Sequence, residues 1–90
     1  DAKTQLQEYS LKKYKKLPIY KVISNTGPRH KPLFKVSVKL FNTKYYIAEG
    51  KSKKDAEQNA AVICLQDIKK LWFGMILDFY YLKIDITKIQ

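Results

Sequence analysis

The stretch "GKSKKDAEQNAAVICL", Gly50 to Leu65, sets Lys51, Lys53 and Lys54 around Ser52, at the point where good helix formers begin. The exposed N–H groups of a helix's first turn give that end a partial positive charge, so carboxylates are stabilised there and ammonium groups mildly disfavoured. Cations gathered at such an end want an external anion, and phosphate suits both the helix terminus and the ammonium groups. Catalysis by the same residues fails on inventory. Metal-assisted phosphodiester cleavage needs clustered carboxylates, whereas Asp55 and Glu57 are two apart on a helix and point in different directions. No serine, cysteine or histidine set supplies a nucleophile with its base. His30, the sole histidine, lacks the further ligands of a metal site. Cys64, the sole cysteine, cannot form an internal disulfide; among alanines and leucines it reads as a small core residue in a reducing compartment, cytoplasmic by default.

Ninety residues make one small domain with no room for a separate catalytic lobe. The chain opens at Asp1 with neither methionine nor apolar leader and so reads as a piece of something longer, not as a secreted precursor. Its net charge is +10, unevenly spread: residues 1–68 hold 14 Lys and Arg against 6 Asp and Glu, residues 69–90 hold 4 against 2. A basic excess concentrated in this way favours a polyanion, either nucleic acid or an anionic membrane face, over the blander role of keeping a small domain soluble.

The elements that must position these groups follow from pattern. From Asp1 or Thr4 to about Tyr14, "TQLQEYSLKKY" is rich in helix formers, with Thr4 expected as N-cap and Leu6 and Tyr9 on one face. The segment "KKLP" ends the helix, because Pro18 restricts Leu17 to extended conformations. "IYKVIS" reads as a strand stopped by "NTGPRHKP". In "LFKVSVKLF", Phe34, Val36, Val38 and Leu40 alternate with Lys35, Ser37 and Lys39, the period of a strand with one face on a core and the other in water. Asn42 supplies a turn, and "KYYIAEG" returns as a third strand. Ser52 then caps a last helix, with Asp55 in capping-box relation. In that helix Ala56, Ala60, Cys64 and Ile68 recur every fourth residue, forming a face small enough to lie close on a sheet. The expected fold is α+β: α-β-β-β-α, with both helices on one face of a three-stranded antiparallel sheet.

Three stretches, "KTQLQEY", "GPRHKPLF" and "GKSKKDAEQNAA", in this order and spacing, resemble the double-stranded-RNA-binding domain over about residues 1–68. The opening "DAKTQLQEY" and the helix "SKKDAEQNAA" are most similar to the C-terminal domain of bacterial ribonuclease III. The resemblance implies a module that reads the shape of duplex RNA through 2′-hydroxyls and phosphates, over about 16 base pairs. It puts Thr4, Gln7 and Glu8 against one minor groove, with Gln7 and Glu8 suited to a 2′-hydroxyl that both donates and accepts. It puts Pro28, Arg29 and His30 in a loop against the next minor groove. Lys51, Ser52, Lys53 and Lys54 then fall over the major-groove phosphates between them. Many members of the wider family are basic where this chain has Glu57, so one phosphate contact is expected to be missing. Lys35, Lys39, Lys12, Lys13, Lys15 and Lys16 read as solvated residues that add long-range attraction. By the same resemblance, cleavage belongs to a separate N-terminal domain with its Mg2+, and this chain carries no cofactor and does not cut.

Residues 69–90 depart from the family pattern. The run Leu71 to Leu82 is apolar but shorter than the roughly 20 residues that cross a bilayer, so no membrane span is expected. Ile84 and Ile86 alternate with polar residues as in a short strand, while a helix after Gly74 fits equally well. Trp72, Phe73, Phe79, Tyr80 and Tyr81 would make a sticky patch if exposed, which favours packing back or a homodimer. This tail keeps a rival reading open, a module of the same fold that binds protein or itself and little RNA.

Overall fold

The structure, a computed structural model, describes residues 1–81. Helix α1 (Ala2–Tyr14) leads into strands β1 (Ile19–Thr26), β2 (Leu33–Lys39) and β3 (Tyr46–Gly50), and helix α2 (Lys53–Tyr81) closes the order. The sheet is an antiparallel meander with β2 in the centre. Val36 stands between Val22 and Ala48, and Val38 between Tyr20 and Tyr46, so the alternation of β2 becomes one apolar face of the sheet. Both helices cover that face. Leu6 of α1, Val38, Leu40, Tyr46 and Ala48 of the sheet region, and Ala60, Ala61 and Cys64 of α2 form the core. Burial pushes the Cys64 thiol up to about 11, as an apolar site disfavours thiolate.

Several local expectations change. Asp1, not Thr4, caps α1: the Thr4 N–H donates to Asp1 Oδ1 at 2.8 Å, which leaves Thr4 inside the first turn. The helix stops before Pro18 acts, because Lys15 adopts a left-handed conformation (φ 60°) and its N–H returns to the Leu11 carbonyl at 3.1 Å. Strand β1 runs on to Thr26, held by ladder pairing to β2 despite a register shift between Val22 and Ser24. β3 starts at Tyr46, two residues later than "KYYIAEG" suggests. Lys35 and Lys39 lie on the sheet face away from the helices, as expected, but Ser37 between them is only 4% exposed. Its neighbours in the ladder, Lys21 and Ile47, flank it on both sides of the central strand.

Helix α2 does not end at Ile68. It continues without interruption to Tyr81, so the proposed boundary at 68/69 falls within one helix. Leu71 is 70% exposed and Phe73 62% exposed, so neither is packed onto the domain. The side chains of Trp72, Phe79, Tyr80 and Tyr81, and the Ile84/Ile86 alternation, lie outside the described residues. Among the described residues, no helix is long and apolar enough to cross a membrane.

Candidate nucleic-acid interface

The start of α2 is a capped first turn ringed by exposed lysines. The Ser52 hydroxyl accepts the Asp55 N–H at 3.0 Å, and the Ser52 carbonyl accepts the Ala56 N–H at 2.9 Å, which fixes the first turn. Lys51, Lys53 and Lys54 are exposed around it and make no ion pair with any carboxylate among the described residues. Two contacts hold this turn to the sheet. A Cβ at Gly50 would collide with the Ala56 backbone nitrogen, so only glycine lets α2 begin this close to β3. Farther along, Asn59 Nδ2 donates to the Glu49 carbonyl at 2.8 Å.

The loop between β1 and β2 is a compact turn. Gly27 has φ 91°, a conformation that side chains resist, and a Cβ there would meet the Lys31 carbonyl oxygen. The Lys31 N–H donates to the Pro28 carbonyl at 2.8 Å, leaving Arg29 and His30 exposed at the tip. Pro28 is exposed as well.

On α1, Thr4, Gln7 and Glu8 are all exposed and share a face at i, i+3 and i+4 spacing. The buried Leu6 and Ser10 lie on the other side of that helix. The start of α2 is the common neighbour of the other two patches. Thr26 pairs with Leu33 and Phe34 with Gly50, so the loop tip and the approach to α2 share one end of the sheet. The first turn of α1 is tied to the first turns of α2: Lys3 Nζ lies 2.9 Å from Glu57 Oε1, and the Lys3 N–H donates to Gln58 Oε1 at 3.3 Å.

Glu57 thus has a partner of its own, and its side chain is only 15% exposed. The sequence marks Glu57 only as a missing phosphate contact and does not point to Lys3 or Gln58 as its companions. These partners are 54 and 55 residues apart, beyond any local periodicity. The one available signal was an acid standing where the wider family is basic. Lys3 also lies over the Tyr20 ring, 5.2 Å from its centroid. The Tyr20 hydroxyl is buried with no hydrogen-bond partner among the described residues. Burial, reinforced by the negative charge of Glu57, pushes it up to about 12. Among the described residues, no three His, Cys, Asp or Glu side chains gather as a metal site.

Two helices on one face of a three-stranded meander, with a capped lysine pair and an Arg-His turn at one end, define a class of duplex-RNA readers. Residues 2–68 match the family model "Double-stranded RNA binding motif", and the chain belongs to that family. Among curated relatives, it is 80% identical over 70 residues to Ribonuclease 3 of Pelagibacter ubique (strain HTCC1062), covering 78% of this chain and 32% of the relative. It is 49% identical over 70 residues to Ribonuclease 3 of Leptospira interrogans (serovar Lai), covering 78% and 28%. The chain therefore spans about a third of the length of these relatives. Among solved structures, Arabidopsis HYL1, described in connection with miRNA processing, superposes with a TM-score of 0.64 at 38% identity, covering 76% of this chain and 96% of that one.

Proposed function

We propose that residues 2–68 bind double-stranded RNA as the substrate-binding domain of a ribonuclease III, with Thr4, Gln7 and Glu8, Pro28 to His30, and Lys51 to Lys54 as the contacting groups. The observation that carries this reading is that the loop tip and the start of α2 share one end of the sheet, with α1 tied to the first turns of α2, around a helix start whose lysines have no carboxylate partner among the described residues. Duplex RNA offers 2′-hydroxyls in a wide, shallow minor groove and phosphates across a narrow major groove, so recognition by shape needs several contacts at fixed separation. Exposed hydrogen-bonding side chains on α1 suit the sugars, and free ammonium groups at a helix N-terminus suit the phosphates. Cleavage and its Mg2+ belong, on this reading, to a part of the enzyme outside this chain, since the carboxylates among the described residues are paired or dispersed. Incubation with duplex RNA and Mg2+ is expected to yield no products; metal-dependent cutting would overturn that division of labour.

Competition at moderate salt tests the main claim. A labelled RNA duplex is expected to be displaced by unlabelled RNA duplex and poorly by DNA duplex or single-stranded RNA. Equal displacement by all three would reduce the chain to a nonspecific polycation.

A further inference from the structure

Resting on the duplex-RNA reading, we propose that Glu57 and Gln58 are positioning residues that cap α1 from α2 and so fix the distance between the α1 patch and the lysines at the start of α2. The first N–H groups of a helix have no partners within it. In α1 the Thr4 N–H is satisfied locally by Asp1, but the Lys3 N–H is satisfied by Gln58 from the other helix. The Glu57 carboxylate stands beside the same end, where the partial positive charge of α1 favours an anion, and it takes the Lys3 ammonium as well. Lys3 is 35% exposed and reaches across the Tyr20 ring, so its side chain ties α1, β1 and α2 together at one point.

This tie lies next to both candidate RNA contacts. Thr4 follows Lys3 directly in α1, and Lys54 is one helical turn before Glu57 and Gln58 in α2. A rigid tie at this spot sets the separation of two patches that meet different grooves. An acid here therefore aids binding by geometry although it opposes it by charge.

The opposed signs make the test decisive. Glu57→Ala raises the net charge by one, and electrostatics alone predicts tighter binding. The tie predicts about fivefold weaker binding to a duplex of about 16 base pairs, equivalent to ~1 kcal/mol. The salt slope should stay unchanged, since no phosphate contact is lost. On a duplex of about 8 base pairs, too short to engage both minor grooves, the loss should largely vanish. Gln58→Ala is expected to weaken long-duplex binding in the same direction without altering charge, and Lys3→Arg to retain it where Lys3→Met does not. These variants serve if Glu57→Ala fails a folding check by urea denaturation. Equal or tighter long-duplex binding by Glu57→Ala and Gln58→Ala, or an equal loss on both duplex lengths, overturns the proposal. Lys53→Ala/Lys54→Ala is the control: if it too binds normally, the RNA interface itself is misplaced, whereas its loss beside normal Glu57→Ala binding removes only the tie.

Discussion

Individual side chains divide into those already engaged and those left available. Lys53 and Lys54 belong to the second group, so replacing both by alanine should cost little stability, within about 0.5 kcal/mol as for ordinary surface changes. Duplex affinity should fall across all sequences, and the salt dependence should flatten by roughly one unit per lost phosphate contact; filter binding at several salt concentrations reads both. Tyr20 belongs to the engaged group at a cost. Its hydroxyl is buried without a partner among the described residues, and such a group costs about 1–3 kcal/mol. Tyr20→Phe keeps the ring beneath Lys3 and should raise stability by about 1 kcal/mol at neutral pH. The pH dependence has a definite sign. The folded hydroxyl holds its proton up to about 12, while the unfolded one releases it near the ordinary value of 10, so between those pH values the folded state binds more protons. This group therefore leaves stability independent of pH below pH 10 and lowers it as pH rises from 10 through 12. Tyr20→Phe should lose less stability than the parent across this window in urea melts, and parallel curves would contradict the assignment.

At the level of helices and strands, the readable parts were those with a local cause. The alternation from Phe34 to Leu40 announced β2, Asn42 marked a turn it does make with φ 61°, and Ser52 announced the start of α2. Elements fixed by distant partners were less legible. β1 outlasts its β-branched core because pairing to Leu33 and Phe34 carries it to Thr26. Thr4 and Asp1 are both good caps by residue type, and only the fold of the first turn selects Asp1. The helix end at Lys15 carries no glycine to announce it. At the interface, the residue types of all three patches could be read, but the ties holding them together run between residues more than 50 positions apart. Two substitutions probe the elements. Ser52→Ala should cost about 1 kcal/mol through the lost cap. Gly50→Ala should cost more, since its methyl group would force α2 away from β3. A thermal melt ranks the two, and a milder effect at Gly50 would mean that the helix start yields freely.

At the largest scale, the described residues are elongated, 59 × 27 × 21 Å, because α2 carries on past the core. None of the proposed RNA contacts lies beyond Lys54. A chain ending at Lys70 should therefore keep its duplex affinity, and, if the exposed Leu71 and Phe73 help join two copies, should show a lower particle mass in light scattering. Unchanged mass and unchanged stability would remove self-association from the tail's account. The basic charge of the domain is also arranged at this scale. Lys13, Lys16, Lys39 and Lys44 each sit over an aromatic ring, with Lys16 as near as 4.2 Å to the Phe41 centroid, and Lys13 also donates to the Tyr9 hydroxyl at 3.1 Å. That hydrogen bond, with the charge of the neighbouring tyrosines, holds the Lys13 ammonium above its usual range.

No such ring contact is made by Lys51, Lys53 or Lys54 among the described residues. An acylating reagent should accordingly meet a sluggish set of amines propped on aromatic faces and a quick set, the amines around Ser52 among them. Footprinting with added duplex should silence the amines around Ser52 and leave the sluggish ones as they were.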